Sequence, residues 1–446
     1  MSGGACATTM VRRAPSMPPS QITIHTALLF DPLVKRFERN ISIVVDQETG
    51  LIADVYRRSD FRPPHISPHD IDLRFLVVCP GFVDAHTHIF LHAYSETPAL
   101  NQMRDESLVE RVIRAVNHCR DALLAGYTTY RDLGTEGLQD ADVNVRDAVN
   151  RGLTPGPRLF VATETIASSG GYAIRQENHL PGVGTAVPSI SDVADGVYGV
   201  RAAVRRRIGA GADIVKFYAD YRKRQLRFPP PLWKGALPVQ FPPRNPNPNV
   251  PLFTQEEMNA IVAEANVANC PVAAHASSPE AVIMAAKAGV TTIEHGSEPS
   301  DEALKAMKEA GTIFVPTLAV LEQMAPHEMP KILAHTKKAW EMGIKLACGG
   351  DTGAFPHGDN AREMELMVQA GVPLEEVLTA ATLHGWEACG GDRCGRRFGW
   401  FERGVAADII ALDGDPRSDL GALRKVQFVM KDGRVWKRDG VAVGMV

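Results

Sequence analysis

Residues 76–88 read LVVCPGFVDAHTH, an apolar run that ends in the pair His86 and His88. Residues i and i+2 of a strand point to the same side, so both imidazoles are predicted to face one point at the end of this strand. Further short runs rich in β-forming residues follow it, separated by longer segments with apolar residues at helical spacing. This alternation predicts parallel strands joined by crossover helices.

Seven such runs follow the first one: GYTTYRDLG (126–134), PRLFVATE (157–164), ADIVKFYA (212–219), PVAAHA (271–276), TTIEHG (291–296), TIFVPTL (312–318) and KLACGGDTG (345–353). Eight strand–helix units are the number found in a TIM barrel. The sequence therefore predicts an α/β fold with a (β/α)8 barrel over residues 81–394.

The two flanks of the barrel have a different texture. Residues 21–80 and 395–446 contain short alternating runs broken by Asn, Asp, Gly and Pro, which predicts antiparallel strands. We expect both chain ends to meet in one small β-sandwich domain. Residues 1–20 are interpreted as a flexible tail, because no apolar segment typical of a secretory signal follows Arg12 and Arg13.

One connection is unusually long and rich in proline. Residues 229–251 also carry Trp233 and Phe241 and follow the fourth predicted strand, so they would lie at the face where barrel enzymes bind substrate. Proline restricts the backbone. The segment is interpreted as a stiff lid, with a surface ornament as the alternative.

Composition narrows the class of partner. The chain has 446 residues, is 45% hydrophobic and carries a net charge of −4, which argues against a nucleic acid or an anionic membrane as partner. Its seven cysteines are scattered and odd in number, as in free thiols of a reducing compartment. We expect a cytoplasmic protein with a small-molecule substrate. The sequence leaves homo-oligomerisation open.

Side chains able to bind metal recur at the ends of the predicted strands, namely His86, His88, Lys216, His275, His295 and Asp351. A single histidine at a strand end is more often packed than ligating, but a set at equivalent positions predicts a metal site. Imidazole and carboxylate suit zinc, and also manganese, iron or cobalt. Lys216 has two interpretations: a neutral amine that adds CO2 to give a carbamate, or an ammonium paired with an acid across the barrel.

The ordered set resembles the binuclear type of the amidohydrolase superfamily. The pieces PGFVDAHTH, IVKFYAD, IEHG, GGDTG and FERGVAADIIALDGDP are similar to its imidazolonepropionase-like and prolidase-like branch, which includes ochratoxin-hydrolysing carboxypeptidases. Over residues 21–438 the resemblance implies two divalent ions, with zinc expected. One ion would be held by His86, His88 and Asp351 and the other by His275 and His295, with the Lys216 carbamate bridging them.

This arrangement predicts hydrolysis of an amide C–N bond by a metal-bridging hydroxide, with Asp351 as the catalytic proton carrier. The expected substrate is a dipeptide or an N-acyl amino acid with an apolar group. Its predicted contacts are Arg131, Tyr172, Tyr218, Arg222 and His357. For Arg131 the alternative is a structural ion pair with Asp132.

Two other functions were weighed. A mononuclear deaminase or cyclic-amide hydrolase of the same superfamily would usually carry a Glu two or three residues after the fifth-strand histidine, whereas Glu280 lies five residues after His275. Lys216 also argues against one metal. A non-catalytic scaffold of the same fold would be expected to have lost ligands, and here each predicted ligand is present.

Overall fold

The computed structural model describes residues 20–63, 66–171, 189–222 and 248–445. Its strands are β1 (Gln21–Asp31), β2 (Arg36–Arg39), β3 (Ile41–Asp46), β4 (Leu51–Arg57), β5 (Ile71–Pro80), β6 (Phe82–Thr87), β7 (Tyr127–Asp132), β8 (Arg158–Val161), β9 (Thr165–Ala167), β10 (Ser191–Val193), β11 (Val215–Tyr218), β12 (Asp220–Arg222), β13 (Asn249–Pro251), β14 (Val272–Ala276), β15 (Thr292–His295), β16 (Ile313–Val315), β17 (Ile409–Leu412), β18 (Val426–Lys431), β19 (Arg434–Arg438) and β20 (Val441–Ala442). Its helices are α1 (Ala99–Asp105), α2 (Leu108–Leu124), α3 (Ala141–Asn150), α4 (Gly196–Ala210), α5 (Gln255–Val267), α6 (Pro279–Ala288), α7 (Asp301–Ala310), α8 (Leu318–Met324), α9 (Met329–Glu341), α10 (Ala361–Gln369), α11 (Leu374–Ala380) and α12 (Leu383–Ala388). Short 3-10 turns span Gly391–Cys394 and Leu420–Arg424.

Both chain ends contribute to one mixed sheet. Its strand order is β20-β19-β18-β17-β5-β1-β3-β4, with β2 paired to β1. The junction between the two ends is β5 against β17, where Cys79 lies opposite Ile410 in antiparallel register. The strands from the two flanks therefore meet as the alternating texture predicts.

The predicted sandwich stays a prediction: the strands are hydrogen-bonded as one continuous sheet, and apolar residues of β1, β3, β5, β17 and β18 share a separate core. Along β17, Ile410 and Leu412 pack into the large core of the chain, whereas Ile409 and Ala411 pack with Trp400 in a second core. Both faces of the strand are thus covered, which explains its continuous apolar run. One face of β17 is thus covered by the α/β part of the chain.

The α/β part contains two parallel sheets. One has the order β6-β7-β8, and the other has the order β10-β9-β11-β14-β15-β16. Segment 345–352 lies between β16 and β6. The amide of Ala347 donates to the carbonyl of Phe314 at 3.0 Å, and the amide of Ala85 donates to the carbonyl of Cys348 at 2.8 Å. The last predicted strand is therefore an irregular segment in contact with both sheets.

Several helices begin at residues that cap their free amides. Thr254 and Glu257 form a capping box at the start of α5, and the Ser278 hydroxyl accepts from the amide of Ala281 at the start of α6. These caps fix where each strand-to-helix connection turns. None of the helices that the structure describes is long and apolar enough to cross a membrane.

Candidate metal centre

His86, His88 and Asp351 meet in one cluster. Asp351 Oδ1 lies 3.2 Å from His88 Nε2 and 3.7 Å from His86 Nε2. One ligand atom from each residue lies within 4.8 Å of the others, and in the described chain no second group of three His, Cys, Asp or Glu side chains has this geometry. The two imidazoles face a common point, as their i, i+2 spacing predicts.

Glycines around Asp351 allow the segment to approach β6 closely. Gly353 has φ +122°, and a Cβ there would lie 2.6 Å from the carbonyl oxygen of His88. Asp351 itself has φ +62°, in the left-handed region that few non-glycine residues adopt. Backbone strain of this kind is concentrated at functional sites.

His275 and His295 lie beside this cluster. Their ring centroids are 4.5 Å apart, and the centroid of His295 is 5.1 Å from that of His86. His295 follows Glu294 directly, so simple strand alternation would point the two side chains to opposite faces. A φ of +73° at His295 breaks that alternation and brings its ring to the site.

Lys216 is buried in β11, one residue before Phe217. Burial lowers its pKa to about 8, while the charges of Glu294 and Asp351 oppose that effect. A lysine with a lowered pKa can act as a neutral amine. The acids across the strands also supply what the ion-pair interpretation requires, so both interpretations of Lys216 stay open.

Three of these histidines are held in place by a contact of their Nδ1 atom. His86 Nδ1 donates to Glu294 Oε2 at 2.8 Å, and His88 Nδ1 donates to the carbonyl of Gly134 at 2.8 Å. His295 Nδ1 lies 2.8 Å from the Thr317 hydroxyl. In the neutral form of His86 or His88, this leaves the lone pair on Nε2, the nitrogen that faces Asp351. Metal-binding histidines are usually held in this way.

The electrostatics separate the histidines into two groups. Burial lowers the pKa of His86 to about 4 and that of His295 to about 3, and it lowers the pKa of His275 well below its usual value. For His88 the effect of burial is outweighed by Asp351, which raises its pKa to about 9. Neutral imidazole is the form that binds metal, so an ion here would have to displace a proton from His88.

Arg131 does not pair with Asp132. Its guanidinium is fully buried and donates to Glu294 Oε1 at 2.8 Å, while Asp132 accepts from the amide of Ile89 at 2.7 Å. Further donors of Arg131 reach the carbonyls of Ala85 and Ala388. The side chain is thus committed to the protein interior, and this geometry favours neither the predicted ion pair nor the predicted substrate contact.

The other predicted substrate contacts have different outcomes. Tyr218 is buried with its ring centroid 5.3 Å from that of His275. His357 stacks on His118 at 4.2 Å, and its Nε2 donates to the carbonyl of Leu91, so its packing does not favour contact with substrate. Outside the described part of the chain lie Tyr172, the side chain of Arg222, Trp233 and Phe241.

Sequence reasoning missed three buried acids around the centre. Glu294 binds His86, Asp84 accepts from the His86 amide at 3.0 Å, and Asp220 lies 3.6 Å from His275 Nε2. Each stands in a motif that was singled out for a neighbouring ligand. An acid inside an apolar strand was the available signal, because such a residue is costly to bury without a partner.

The chain matches the amidohydrolase family over residues 77–232 and 244–436. It is similar to ochratoxinase from Aspergillus niger, with 28% identity in an alignment 464 positions long that covers 96% of this chain and 89% of that protein. It is also similar to the crystal structure of a Xaa-Pro dipeptidase with bound methionine in the active site. That structure has a TM-score of 0.76 and 32% identity over 94% of this chain and all of the other. A prolidase complexed with N-methylphosphonate-L-proline gives a TM-score of 0.74 and 26% identity over 94% and 100% of the two chains.

Proposed function

The chain belongs to the amidohydrolase family, and we propose that it hydrolyses the amide bond of a dipeptide or N-acyl amino acid at a two-metal centre. Membership confirms the resemblance seen in the sequence and the prediction of an enzyme that hydrolyses C–N bonds. The observation that carries the finer proposal is the convergence of His86, His88 and Asp351, with His275 and His295 beside them.

We also propose that the two parallel sheets are arcs of one (β/α)8 barrel. Segment 345–352 supports closure on one side through its hydrogen bonds with β16 and β6. On the other side, the amides of Asp213 and Ile214 donate to the carbonyl of Val161 at 2.8 and 3.3 Å, which links β8 to the start of β11. Barrel enzymes place catalytic side chains at the carboxyl ends of their strands, where this cluster lies.

The donor set fits divalent ions. His86, His88 and Asp351 would hold one ion and His275 with His295 the second, and Lys216 as a carbamate would bridge them. The ring nitrogens of His86 and His88 that do not face the cluster are each occupied by a carboxylate or a carbonyl oxygen, as in known metal sites. When bound, two such ions, zinc being preferred, would supply Lewis acidity at the scissile carbonyl and activate water.

Asp351 is proposed as the proton carrier. Burial alone would raise its pKa, but His86 and His88 outweigh burial and hold that pKa well below its usual range. The carboxylate is therefore ionised and can accept a proton from the attacking water. It can then deliver this proton to the nitrogen of the departing amine.

An apolar wall supports the choice of substrate. Tyr218 packs in a cluster with Met103, Ala167 and Ile190, and Tyr221 borders the same cluster. The rings of Tyr218 and Tyr221 lie 5.3 and 5.8 Å from that of His275. A substrate with an apolar or aromatic side chain would bury that group here, in line with the dipeptidase and prolidase similarities.

The test is a screen of the purified protein on Xaa-Pro dipeptides, N-acyl amino acids, ochratoxin, lactams and imidazolones, read by mass spectrometry. Chelator treatment should abolish turnover and zinc should restore it. Cleavage into two products supports the proposal, whereas gain of water without cleavage indicates a cyclic-amide hydrolase and loss of ammonia indicates a deaminase. A zinc-loaded protein inactive on every acyclic amide would contradict it.

A further inference from the structure

We infer that Glu294, held by Arg131, is a positioning residue that fixes the tautomer and the orientation of His86. This inference rests on the proposed metal centre, because its consequence is the affinity for one ion. Glu294 lies on β15 and His86 on β6, so the contact crosses the space between the two parallel sheets.

The two oxygens of Glu294 have separate tasks. Oε2 accepts from His86 Nδ1 at 2.8 Å. Oε1 accepts from Arg131 at 2.8 Å and from the Thr292 hydroxyl. The side chain is fully buried, and each of these contacts is made by a protein group.

Arg131 keeps the carboxylate charged and in place. Its Nη1 donates to the Thr292 hydroxyl at 2.9 Å and to the carbonyl of Ala388 at 3.1 Å, and its Nε donates to the carbonyl of Ala85. The guanidinium is thus anchored to the residue before His86. The guanidinium that donates to Glu294 Oε1 is always charged and is itself fully buried, so the carboxylate beside it is ionised.

A carboxylate at this position has one consequence for His86. It has no hydrogen to donate, so the proton of the neutral imidazole must lie on Nδ1, and Nε2 keeps the lone pair directed at Asp351. A glutamine could not serve both partners. Its one oxygen would be taken by Arg131, so its NH2 would face Nδ1 and favour the opposite tautomer, in which Nε2 carries the proton.

Of the contacts that orient His86, His88 and His295, the one between Glu294 and His86 is made by a charged side chain, and a substitution can remove that charge. His88 is held by the backbone carbonyl of Gly134 and His295 lies against the hydroxyl of Thr317. Substitution at position 294 should therefore weaken the ion of His86 without disturbing the ligands His275 and His295.

The experiment compares Glu294→Gln with Glu363→Gln. Glu363 is also fully buried, but burial raises its pKa to about 8 and one of its oxygens has no partner within the described chain. Burial thus favours its protonated form, which an amide resembles in shape. Zinc content and affinity are measured by chelator competition, and the fold of the metal-free proteins by circular dichroism.

We expect Glu294→Gln to lower the affinity for one zinc ion by about 10-fold to 100-fold, as loss of such an orienting contact does. The other ion and the metal-free fold should be unchanged, and Glu363→Gln should bind both ions as the wild type does. Wild-type affinity for both ions in Glu294→Gln would overturn the inference. A wild-type protein that binds no zinc would instead overturn the proposed metal centre.

A second measurement does not depend on the Glu294→Gln variant. In metal-free wild-type protein labelled with 15N-histidine, the signals of His86 are those absent from His86→Asn. They should report a proton on Nδ1. A proton on Nε2 alone would overturn the inference.

Discussion

Gly349 packs so closely against His86 that a Cβ at position 349 would lie 2.7 Å from the His86 backbone nitrogen. The same Cβ would lie 2.7 Å from Cγ1 of Val315, on the opposite side. The segment that carries Asp351 is therefore pressed between β6 and β16, and only a residue without a side chain fits there. This close approach brings Asp351 to His86 and His88.

Gly349→Ala should therefore destabilise the protein by about 1–3 kcal/mol, the usual cost of overpacking a filled interior. Urea unfolding of the metal-free protein measures this. The control is Gly209→Ala in α4, where a Cβ meets no atom within 4 Å and alanine should stabilise by up to about 1 kcal/mol. Equal stability of Gly349→Ala and wild type would mean that the close approach is absent from the protein in solution.

The ligand assignment predicts two divalent ions per chain. His86→Ala and His275→Ala should each lose at least one ion, because each removes a nitrogen from a different half of the centre. His335→Ala is the matched control, since His335 is buried in α9 and packs on Phe314 instead. Elemental analysis of the purified proteins gives the answer, and full occupancy in both ligand variants would refute the assignment.

Lys216→Ala should be nearly inactive, and short carboxylic acids should partly restore its activity by taking the place of the carbamate. Lys431 of β18 provides a control, because burial also lowers its pKa to about 8 but its Nζ donates to the carbonyl of Gly156, just before β8. Lys431→Met should keep its activity and gain nothing from carboxylic acids. An electron-density map showing a plain ammonium at Lys216 in active, metal-loaded protein would end the idea.

The sequence was informative wherever one periodicity governed the backbone. His86 and His88 both face Asp351, as their i, i+2 spacing predicts, although His88 follows the last residue of β6. The alternating flanks identify strands that pair across the whole length of the chain. It was less informative about layers. Alternation predicts which face of a strand is covered but not the element that covers it, so the packing of Ile410 and Leu412 into the core of the α/β part was not predicted.

Other features depend on contacts between distant segments and leave little trace in local pattern. Glu294 and Arg131 are 163 residues apart, and the alternative drawn from the sequence paired Arg131 with the adjacent Asp132. The left-handed backbone of His295 was likewise not predicted from the sequence. Buried acids next to predicted ligands are the sequence signal that would have found these contacts.

Arg158 joins the α/β part of the chain to the mixed sheet that both chain ends form. It donates to Asp408 at 2.7 Å and to Asp432 at 2.7 Å, and its guanidinium lies over the ring of Phe398. Arg158→Ala would leave the buried Asp408 without its cationic partner, with only the amide of Asp432, in the described part of the chain, still donating to its carboxylate, at a cost of about 3–5 kcal/mol. Urea unfolding should show this loss.

The control for Arg158 is a partly exposed ion pair between two residues that are two positions apart in the sequence. Arg417→Ala removes the pair with Asp415, which is partly exposed and should contribute less than about 1 kcal/mol. If both variants unfolded at the same urea concentration, the Arg158 cluster would have no special part in joining the two halves.

Tyr218 offers the sharpest test of the substrate. Its ring stands edge-on to His275 and forms the apolar wall with Met103, so Tyr218→Leu should lower kcat/KM on the best substrate by about 10-fold to 100-fold, the effect of about 1–3 kcal/mol of apolar contact. Zinc content should not change, because the ring is not among the proposed ligands. The control is Tyr198→Leu in α4, where the side chain is 90% exposed.

Tyr218→Phe separates the ring from the hydroxyl: a rise in KM confined to substrates with a free carboxylate would assign the hydroxyl to that group. Wild-type kcat/KM in Tyr218→Leu would place the specificity of the enzyme elsewhere, with the segment that carries Trp233 and Phe241 as the next candidate.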